Sequence, residues 1–315
     1  MQIVNLIHPG EPVALDRGCG LCLGHFDGVH RGHRALIEEL RRLNGKRREP
    51  LPLGAMCFRT PPTATLSAHP TPQLTTLEQK LALLRDAGLS FAVLYDFPTI
   101  KDFSPEEFII RVLFCDCDAR LVVCGFNYTF GARGAGTPET LRRYYASHTD
   151  RTLSVVPAFT VGELTVSSSR IRALLESGHP EDAAHLLGHP YAIEGTVVAG
   201  KQMGRRLQAP TANLTFPRYA LVPAHGVYIT TATVEGRTYP AITNVGVRPT
   251  FEDDGKANCE TYLLDFEGTL YDKHVKVAFL RFLRPERRFD SKEALQAQIA
   301  ADVAAAREYH RTHGK

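Results

Sequence analysis

The sequence predicts an α/β fold in its first part and a small antiparallel β-barrel in its second part. In the first part, short apolar runs alternate with segments whose apolar residues recur every three or four positions, which predicts buried strands separated by helices. In the second part, long β-rich runs are bounded by turn residues, which is typical of antiparallel strands. The period changes near residue 187, so we expect domains at 1–186 and 187–315.

Five apolar runs predict the strands of the first domain, at 21–26, 53–58, 91–97, 120–126 and 153–159. Three groups of apolar residues at helical spacing lie between them: Leu36, Ile37, Leu40 and Leu43; Leu77, Leu81 and Leu84; Phe108, Ile109, Val112 and Leu113. Ser104 followed by Pro105 and two glutamates is a favourable start for the third helix. This alternation predicts a parallel sheet covered by helices, with ligands at the carboxyl ends of the strands.

Four β-rich segments predict the second domain, at 191–200, 226–246, 259–266 and 274–283. Glu235-Gly236 marks a hairpin turn inside the second of them. The chain then ends in a helix capped by Ser291, with apolar residues at spacings of four: Leu295, Ile299 and Val303. These segments predict an antiparallel barrel with a terminal helix.

Composition narrows the classes of function. The 37 basic and 34 acidic residues leave a net charge of only +3, which does not favour nucleic-acid binding. The first residues do not resemble a signal peptide, and no apolar run is long enough to span a membrane. Seven cysteines in such a chain indicate reduced thiols in the cytoplasm. Cys19 and Cys22 form a C-x-x-C pair, but no second pair stands at zinc spacing, so we expect no zinc.

The segment GHFDGVHRGH, at residues 24–33, carries two histidines after the first strong strand. A helix that begins just after His30 would present free N–H groups and the positive end of its dipole to an anion. Gly28 and Gly32 would allow a tight turn and let a phosphate approach the backbone, and His30 and His33 could donate hydrogen bonds to it. The residues alone leave three interpretations open: a phosphate site, a metal site and a purely structural turn.

Further segments share the pattern of one enzyme family. The sequence G-x-F-D-G-x-H-x-G-H is the phosphate motif of the nucleotidyltransferase superfamily, and VSSSRIRALL at 166–175 resembles its second motif. VVCGFNYTFGARGAG at 122–136 resembles a segment between the two. Residues 200–214 contain Pro-Thr-Ala-Asn, the hallmark of riboflavin kinases, and 241–251 and 259–271 fit the same pattern. The chain therefore resembles the bacterial bifunctional riboflavin kinase/FAD synthetase (FMN adenylyltransferase) family.

The resemblance implies an N-terminal Rossmann-like nucleotidyltransferase domain that transfers AMP from ATP to FMN, with Mg²⁺, giving FAD and pyrophosphate. His30 and His33 would hold the ATP phosphates, Arg172 would neutralise the polyphosphate, and Ser168 would donate nearby. Asn127 would face the flavin-phosphate side. The remaining residues of the ATP-binding turn would be Gly24, Asp27, Gly28 and Gly32.

For the C-terminal domain the resemblance implies a riboflavin kinase that phosphorylates the 5′-hydroxyl of riboflavin. Thr211 and Asn213 would hold Mg²⁺ and the ATP phosphates, and Glu260 would accept the hydroxyl proton. The phosphate flap would contain Gly200, Lys201 and Gly204. The implied partners are the small molecules riboflavin, FMN and ATP, with neither nucleic acid nor membrane.

The sequence departs from the family pattern at four places. Pro61 stands where the family has a histidine, Gln208-Ala209 replaces a glycine and an aromatic residue, Asp272 replaces a glycine, and His25 replaces an asparagine. These departures concern flavin affinity more than reaction type. Two alternatives therefore stay open: an FMN adenylyltransferase with a degraded flavin-binding barrel, and a non-catalytic flavin or nucleotide sensor. The intact phosphate-handling residues argue against the sensor.

Overall fold

The computed structural model describes residues 1–6, 17–197, 211–247 and 257–313. The chain divides into two compact units, Met1–Ser168 and Ser169–Lys315. The predicted boundary near residue 187 falls at the end of the second helix of the second unit. Within the described ranges, no helix has both the length and the apolar character needed to cross a membrane.

The first unit is built on a six-stranded parallel sheet, as the sequence predicts. Its strands are β1 (Gln2–Leu6), β2 (Cys19–Leu23), β3 (Leu53–Phe58), β4 (Phe91–Tyr95), β5 (Ala119–Gly125) and β6 (Thr152–Val156), in the order β1-β4-β3-β2-β5-β6. The five predicted strands are confirmed to within a few residues. The edge strand β1, which pairs with β4 alone, was not predicted.

Helices cover both faces of this sheet. They are α1 (Arg31–Asn44), α2 (Thr63–Leu66), α3 (Leu77–Asp86), α4 (Phe97–Ile100), α5 (Pro105–Glu107), a π-helix (Phe108–Asp116) and α6 (Pro138–Ala146). Leu36, Ile37 and Leu40 of α1 pack on one face with Leu84 of α3. The π-helix and α6 pack on the other face, so the sheet is buried on both sides, as parallel sheets are.

The winding of the third predicted helix differs from expectation. Ser104 caps α5 as predicted, in a capping box with Glu107. The following residues, Phe108–Asp116, form a π-helix rather than an α-helix, and it ends with Cys117 N–H donating to the carbonyl of Val112, five residues back (3.2 Å). Apolar spacings of three and four predict a helix but do not distinguish these two windings.

The second unit contains the predicted antiparallel barrel. A two-stranded ribbon, β7 (Thr160–Val161) and β8 (Leu164–Thr165), comes first and belongs to the first unit. The elements that follow are α7 (Ser168–Glu176), α8 (Pro180–Leu187), β9 (Ala192–Thr196), β10 (Thr211–Thr215), β11 (Gly226–Val234), β12 (Arg237–Val247), β13 (Ala257–Leu263), β14 (His274–Arg284) and α9 (Lys292–His313). The strand order is β10-β13-β12-β11-β14-β9, and the two end strands contact each other, which nearly closes the barrel.

The structure confirms the predicted hairpin turn and the predicted helix cap in this unit. Glu235 and Gly236 adopt left-handed conformations (φ 50° and 79°) and join β11 to β12, as a tight hairpin turn requires. Ser291 caps the terminal helix, since the N–H of Ala294 donates to its Oγ (3.1 Å). Asp302 of α9 is 5% exposed, and Arg284 of β14 donates to its carboxylate from Nε (3.1 Å to each oxygen) and from Nη2 (2.7 Å). This charged pair fixes the terminal helix to the barrel.

Candidate active sites

The first motif forms a tightly wound turn between β2 and α1. Residues Asp27–Val29 make one 3-10 turn, and Phe26, Gly28 and Val29 all have positive φ, at 50°, 80° and 38°. A left-handed backbone is unfavourable for Phe26 and Val29, but both side chains are fully buried in the core. Burial of these two side chains therefore holds a strained turn, as is common where backbone groups must face a ligand.

Asp27 connects this turn to the segment that leads into α3. Its Oδ1 accepts hydrogen bonds from the N–H groups of Leu74 (2.8 Å) and Thr75 (3.3 Å). In return, the N–H of Gly28 donates to Thr75 Oγ1 (3.1 Å). The Asp27 carboxylate is 4% exposed, so in this geometry it fixes the turn against the start of α3.

The two histidines are stacked at the start of α1. His30 is the N-cap residue, and its Nδ1 accepts a hydrogen bond from the N–H of His33 (3.2 Å). The rings are nearly parallel (12°), with centroids 3.6 Å apart. A Cβ on Gly32 would lie only 3.2 Å from atoms of the His30 ring, so glycine leaves room for this stack. With Nδ1 as an acceptor, neutral His30 carries its proton on Nε2, where it can be donated.

Electrostatics keep the second imidazole neutral. The pKa of His33 lies well below its usual value because the surrounding protein removes water from the ring, and because His30, Lys80 and His25 add positive potential. Burial and Lys80 also lower the pKa of His25. Within the part of the chain that the structure describes, Nδ1 of His33 has no hydrogen-bond partner. One ammonium, that of Lys80, and neutral imidazoles that can form hydrogen bonds are a combination that favours an anion.

The second motif contacts the same turn through Ser168. Its Oγ donates to the carbonyl oxygen of Asp27 (3.0 Å). Arg172 lies one helical turn further along α7, in the second unit, where its Nη2 donates to Ser169 Oγ (3.3 Å). The structure therefore brings Ser168 to the histidine turn, by which we mean residues 24–33 between β2 and the start of α1, and Gly24 and Gly28 belong to that segment.

An apolar cavity of about 340 Å³ opens at the carboxyl ends of four strands, β2 to β5. Two aromatic pairs form much of its wall. Phe58 meets Phe97 edge-on with ring centroids 5.3 Å apart, and Tyr128 stacks with Phe130 at 5.8 Å. Sequence analysis missed this cavity. The sequence does contain a signal for it. An aromatic residue stands at or just after the end of three of the strands: Phe58 for β3, Phe97 for β4 and Tyr128 for β5.

The cavity adjoins the histidine turn. Gly24 and His25 line it, and the ring of His25 lies 6.1 Å from that of Phe58. Asn127 follows β5 in a turn closed by the N–H of Tyr128 donating to the Gly125 carbonyl (3.1 Å), and its side chain is exposed. Pro62 also lines the cavity. It follows Pro61, the position at which the family has a histidine. An apolar pocket thus shares its edge with the histidine turn.

The predicted kinase residues meet on neighbouring strands of the barrel. Asn213 of β10 lies directly opposite Glu260 of β13. Thr211 is two residues before Asn213 and therefore faces the same side of the sheet. Residues of the other face, such as Ala212 and Thr261, have no exposed surface and fill the barrel interior. The structure therefore places Thr211, Asn213 and Glu260 together on one face.

Asn244 lies in line with Asn213 and Glu260 across three neighbouring strands, and sequence analysis missed it. It lies opposite Glu260 on β12, and its Nδ2 donates to Glu286 Oε1 (3.0 Å).

Some predicted positions of the kinase domain lie outside the described residues: Gly200, Lys201, Gly204 and the departure at Gln208-Ala209. Asp272 has φ 62°, the left-handed conformation that the family's glycine would adopt easily. Aspartate in place of the family's glycine therefore keeps the left-handed backbone at this position.

Cys19 and Cys22 do not form a metal site in this fold. Both lie on β2, and their positions place them in the two different cores, one on each face of the sheet. Burial raises the pKa of both thiols. All seven cysteines are free thiols, and Cys115 alone among them is exposed. The described ranges contain no group of three or more histidine, cysteine, aspartate or glutamate side chains that could hold a metal ion.

Comparison with known proteins covers both units. A family model of FAD synthetase matches residues 13–170, and one of riboflavin kinase matches residues 187–310. The bifunctional riboflavin kinase/FMN adenylyltransferase of Pseudomonas fluorescens is 35% identical over 98% of this chain and 97% of its own length. The enzyme of that name from Escherichia coli K12 is 33% identical over 98% of each chain.

Among solved structures, one described as a macrolide-efflux protein from Streptococcus pneumoniae superposes with a TM-score of 0.86 and 28% identity, over 98% of this chain and 99% of that one. The chain matches both family models. Its relatives match it over nearly their whole length, and their name combines the two activities. The chain belongs to the bifunctional riboflavin kinase/FMN adenylyltransferase family.

Proposed function

We propose that the chain makes FAD from riboflavin in two ATP-dependent steps. The barrel phosphorylates riboflavin to FMN, and the N-terminal domain adenylylates FMN to FAD with release of pyrophosphate. The observation that carries this proposal is the presence of both family matches in one chain, at residues 13–170 and 187–310. On this proposal the domains are 1–186 and 187–315, and the substrates are riboflavin, FMN and ATP.

In the adenylyl transfer, a phosphate oxygen of FMN attacks the α-phosphorus of ATP, and the bond to the bridging oxygen of the β-phosphate breaks. The FMN phosphate is already anionic, so no general base is required. The developing charge lies on the leaving pyrophosphate. The start of α1 and the Nε2–H of His30 supply donors to it, and His33, stacked on His30 at 3.6 Å, adds a second imidazole. Catalysis then consists of positioning and charge stabilisation.

The flavin ring of FMN occupies the aromatic cavity. Its volume of about 340 Å³ lies at the small end of the range of ligand pockets. The faces and edges of Phe58, Phe97 and Tyr128 suit a flat, conjugated ring. Because Gly24 and His25 line the same cavity, a flavin bound there carries its phosphate toward the histidine turn. Asn127, in the turn after β5, donates to that phosphate.

In the kinase, Glu260 takes the proton of the riboflavin 5′-hydroxyl while the oxygen attacks the γ-phosphorus of ATP and ADP leaves. Asn213 lies opposite Glu260 across the strand pair, and Thr211 shares its face. The hydroxyl of Thr211 and the amide oxygen of Asn213 are the hard oxygen ligands that suit Mg²⁺. When bound, Mg²⁺ neutralises charge on the ATP phosphates. Gly200, Lys201 and Gly204 supply the phosphate flap on this proposal.

On this proposal Arg172 neutralises the ATP polyphosphate, and Ser168, which donates to the Asp27 carbonyl, belongs to the same motif. The enzyme works in the cytoplasm, where its seven free thiols stay reduced. It needs no nucleic acid or membrane partner and no zinc.

A direct assay tests the function. The purified chain is incubated with ATP and MgCl₂ and with either riboflavin or FMN, and the flavins are separated chromatographically. The proposal requires FMN and then FAD from riboflavin, and FAD from FMN. FAD from FMN without any phosphorylation of riboflavin would reduce the chain to an adenylyltransferase, and binding of flavin without turnover would make it a sensor.

A further inference from the structure

Lys80 of α3 is a buried cation that the mechanism above does not use. The residue as a whole is 9% exposed. Within the described residues, its ammonium has no hydrogen bond or ion pair with any partner. An ammonium that has no protein partner can contact an anionic ligand, since charge-assisted hydrogen bonds to phosphate oxygens are strong.

The position of Lys80 is fixed by the same contacts that hold the histidine turn. The segment before α3 is tied to that turn through Asp27 and Thr75. Thr76 and Gln79 then form a capping box at the first turn of α3. Lys80 is the next residue, so α3 starts against the turn and carries Lys80 within its first turns.

Lys80 lies close enough to two imidazoles and one thiol to influence their ionisation. It adds positive potential at His33, His25 and Cys57. Burial raises the pKa of the Cys57 thiol to about 11, so the thiol stays protonated. Imidazoles with lowered pKa values and a protonated thiol do not balance an ammonium. A phosphate bound at the histidine turn would supply a negative charge beside this ammonium.

We propose that Lys80 is a phosphate-binding residue of the adenylyl transfer site, whose ammonium contacts the ATP triphosphate beside the stacked His30 and His33. This inference rests on the proposed function of the N-terminal domain. Bound triphosphate supplies the counter-charge, and the same contact persists on the pyrophosphate that leaves. Lys80 acts on the nucleotide and its product, and the flavin ring binds elsewhere, in the aromatic cavity.

The test compares Lys80→Met, which keeps the length of the side chain without its charge, with Lys80→Arg, which keeps the charge. Lys46→Met, at an exposed position in the same unit, is the matched control. In the full-length chain, Lys80→Met should raise the KM for ATP in FAD synthesis, and the KM for pyrophosphate in the reverse reaction, by about 10- to 100-fold. The KM for FMN and the riboflavin kinase rate should stay within about twofold. Lys80→Arg should recover most of the loss.

Thermal unfolding separates a ligand contact from a structural role. Removal of an ammonium that makes no hydrogen bond or ion pair within the described residues should leave the melting temperature unchanged or raise it. A lowered melting temperature, with the KM for ATP and for FMN changed alike, would make Lys80 a structural residue and overturn the proposal. Unchanged KM values for ATP and pyrophosphate would also overturn it.

Calorimetric binding of inorganic pyrophosphate to the full-length chain tests Lys80 without turnover. If the wild-type chain made no FAD, the proposed function would fail, but weaker pyrophosphate binding by Lys80→Met than by Lys46→Met would still support the phosphate contact. Equal binding by these two variants would refute it.

Discussion

Asn213 and Glu260 lie directly opposite each other on β10 and β13, and Glu260 also lies opposite Asn244 on β12. Directly opposed residues in an antiparallel pair have Cβ atoms about 4.5–5.5 Å apart. On the proposed function, the strand register thereby sets the separation between the proton acceptor and an oxygen ligand for Mg²⁺. The separation does not depend on loop conformation.

Replacement of Glu260 by Gln should therefore abolish most riboflavin phosphorylation, because the amide keeps the size of the side chain but does not accept the proton. Loss of a general base typically lowers the rate by about 10²–10⁴-fold. Conversion of supplied FMN to FAD should remain near the wild-type rate. Glu194→Gln, on β9 of the same barrel, is the control. An unchanged kinase rate at saturating substrate would show that Glu260 is only a strand residue.

Replacement of both His30 and His33 by Ala should affect the opposite activity. Each removed donor of this kind typically lowers the rate by about 10²–10³-fold, so FAD formation from FMN should collapse. FMN formation from riboflavin should stay within a few-fold of wild type. His69→Ala, at an exposed position of the first unit, should change neither activity. Stoichiometric metal in the purified wild-type chain, measured by elemental analysis, would instead support a metal site at these histidines.

The barrel should function when separated from the first unit. A fragment of residues 187–315 should phosphorylate riboflavin without making FAD. A fragment of residues 169–315 should be more stable, because α7 and α8 contact the barrel unit: the N–H of Ala224 donates to the Leu175 carbonyl (3.0 Å), and Arg281 pairs with Glu181 (3.6 Å). We expect its melting temperature to be higher by about 5 °C or more. If both fragments fold and neither makes FMN, the kinase assignment is wrong.

The pKa of His33 makes the stability of the first unit depend on pH. Its folded pKa lies below the unfolded value of 6.5, so below pH 6.5 the unfolded chain binds a proton that the folded chain does not. The stability gained from a neutral His33 is therefore complete above pH 6.5 and falls as the pH drops toward the folded pKa, by at most about 1.4 kcal/mol per pH unit.

Thermal melts between pH 7.5 and 5.5 measure this effect. The melting temperature of the wild-type chain should fall over that interval, and His33→Gln should reduce the fall. Equal pH dependence in the two chains would show that His33 does not titrate differently on folding. ATP, which favours protonated imidazoles, should also reduce the dependence.

The sequence predicts local features of this molecule well and assembled features poorly. The start of α1 after His30, the cap at Ser104 and the turn at Glu235-Gly236 each depend on a few neighbouring residues, and the structure confirms them. The family pattern likewise identified the two domains and their order along the chain, because its motifs are contiguous.

The aromatic cavity and Lys80 required the fold. Phe58, Phe97 and Tyr128 follow three different strands, and the strand order β4-β3-β2-β5 brings their ends together. In the sequence, Lys80 is one polar residue near the start of an amphipathic helix, where solvent exposure is the usual expectation. Its burial follows from the hydrogen bonds between Asp27 and the start of α3, which join residues 47 and 48 positions apart.

The distribution of the cysteines gives the protein a built-in labelling site. Six thiols are buried, whereas Cys115 in the π-helix is exposed. A thiol-reactive dye applied to the native chain should therefore attach at Cys115, without any prior removal of the other cysteines. Denaturation should expose all seven. The ratio of dye bound before and after denaturation thus gives an independent count of the properly folded fraction in any of the variants above.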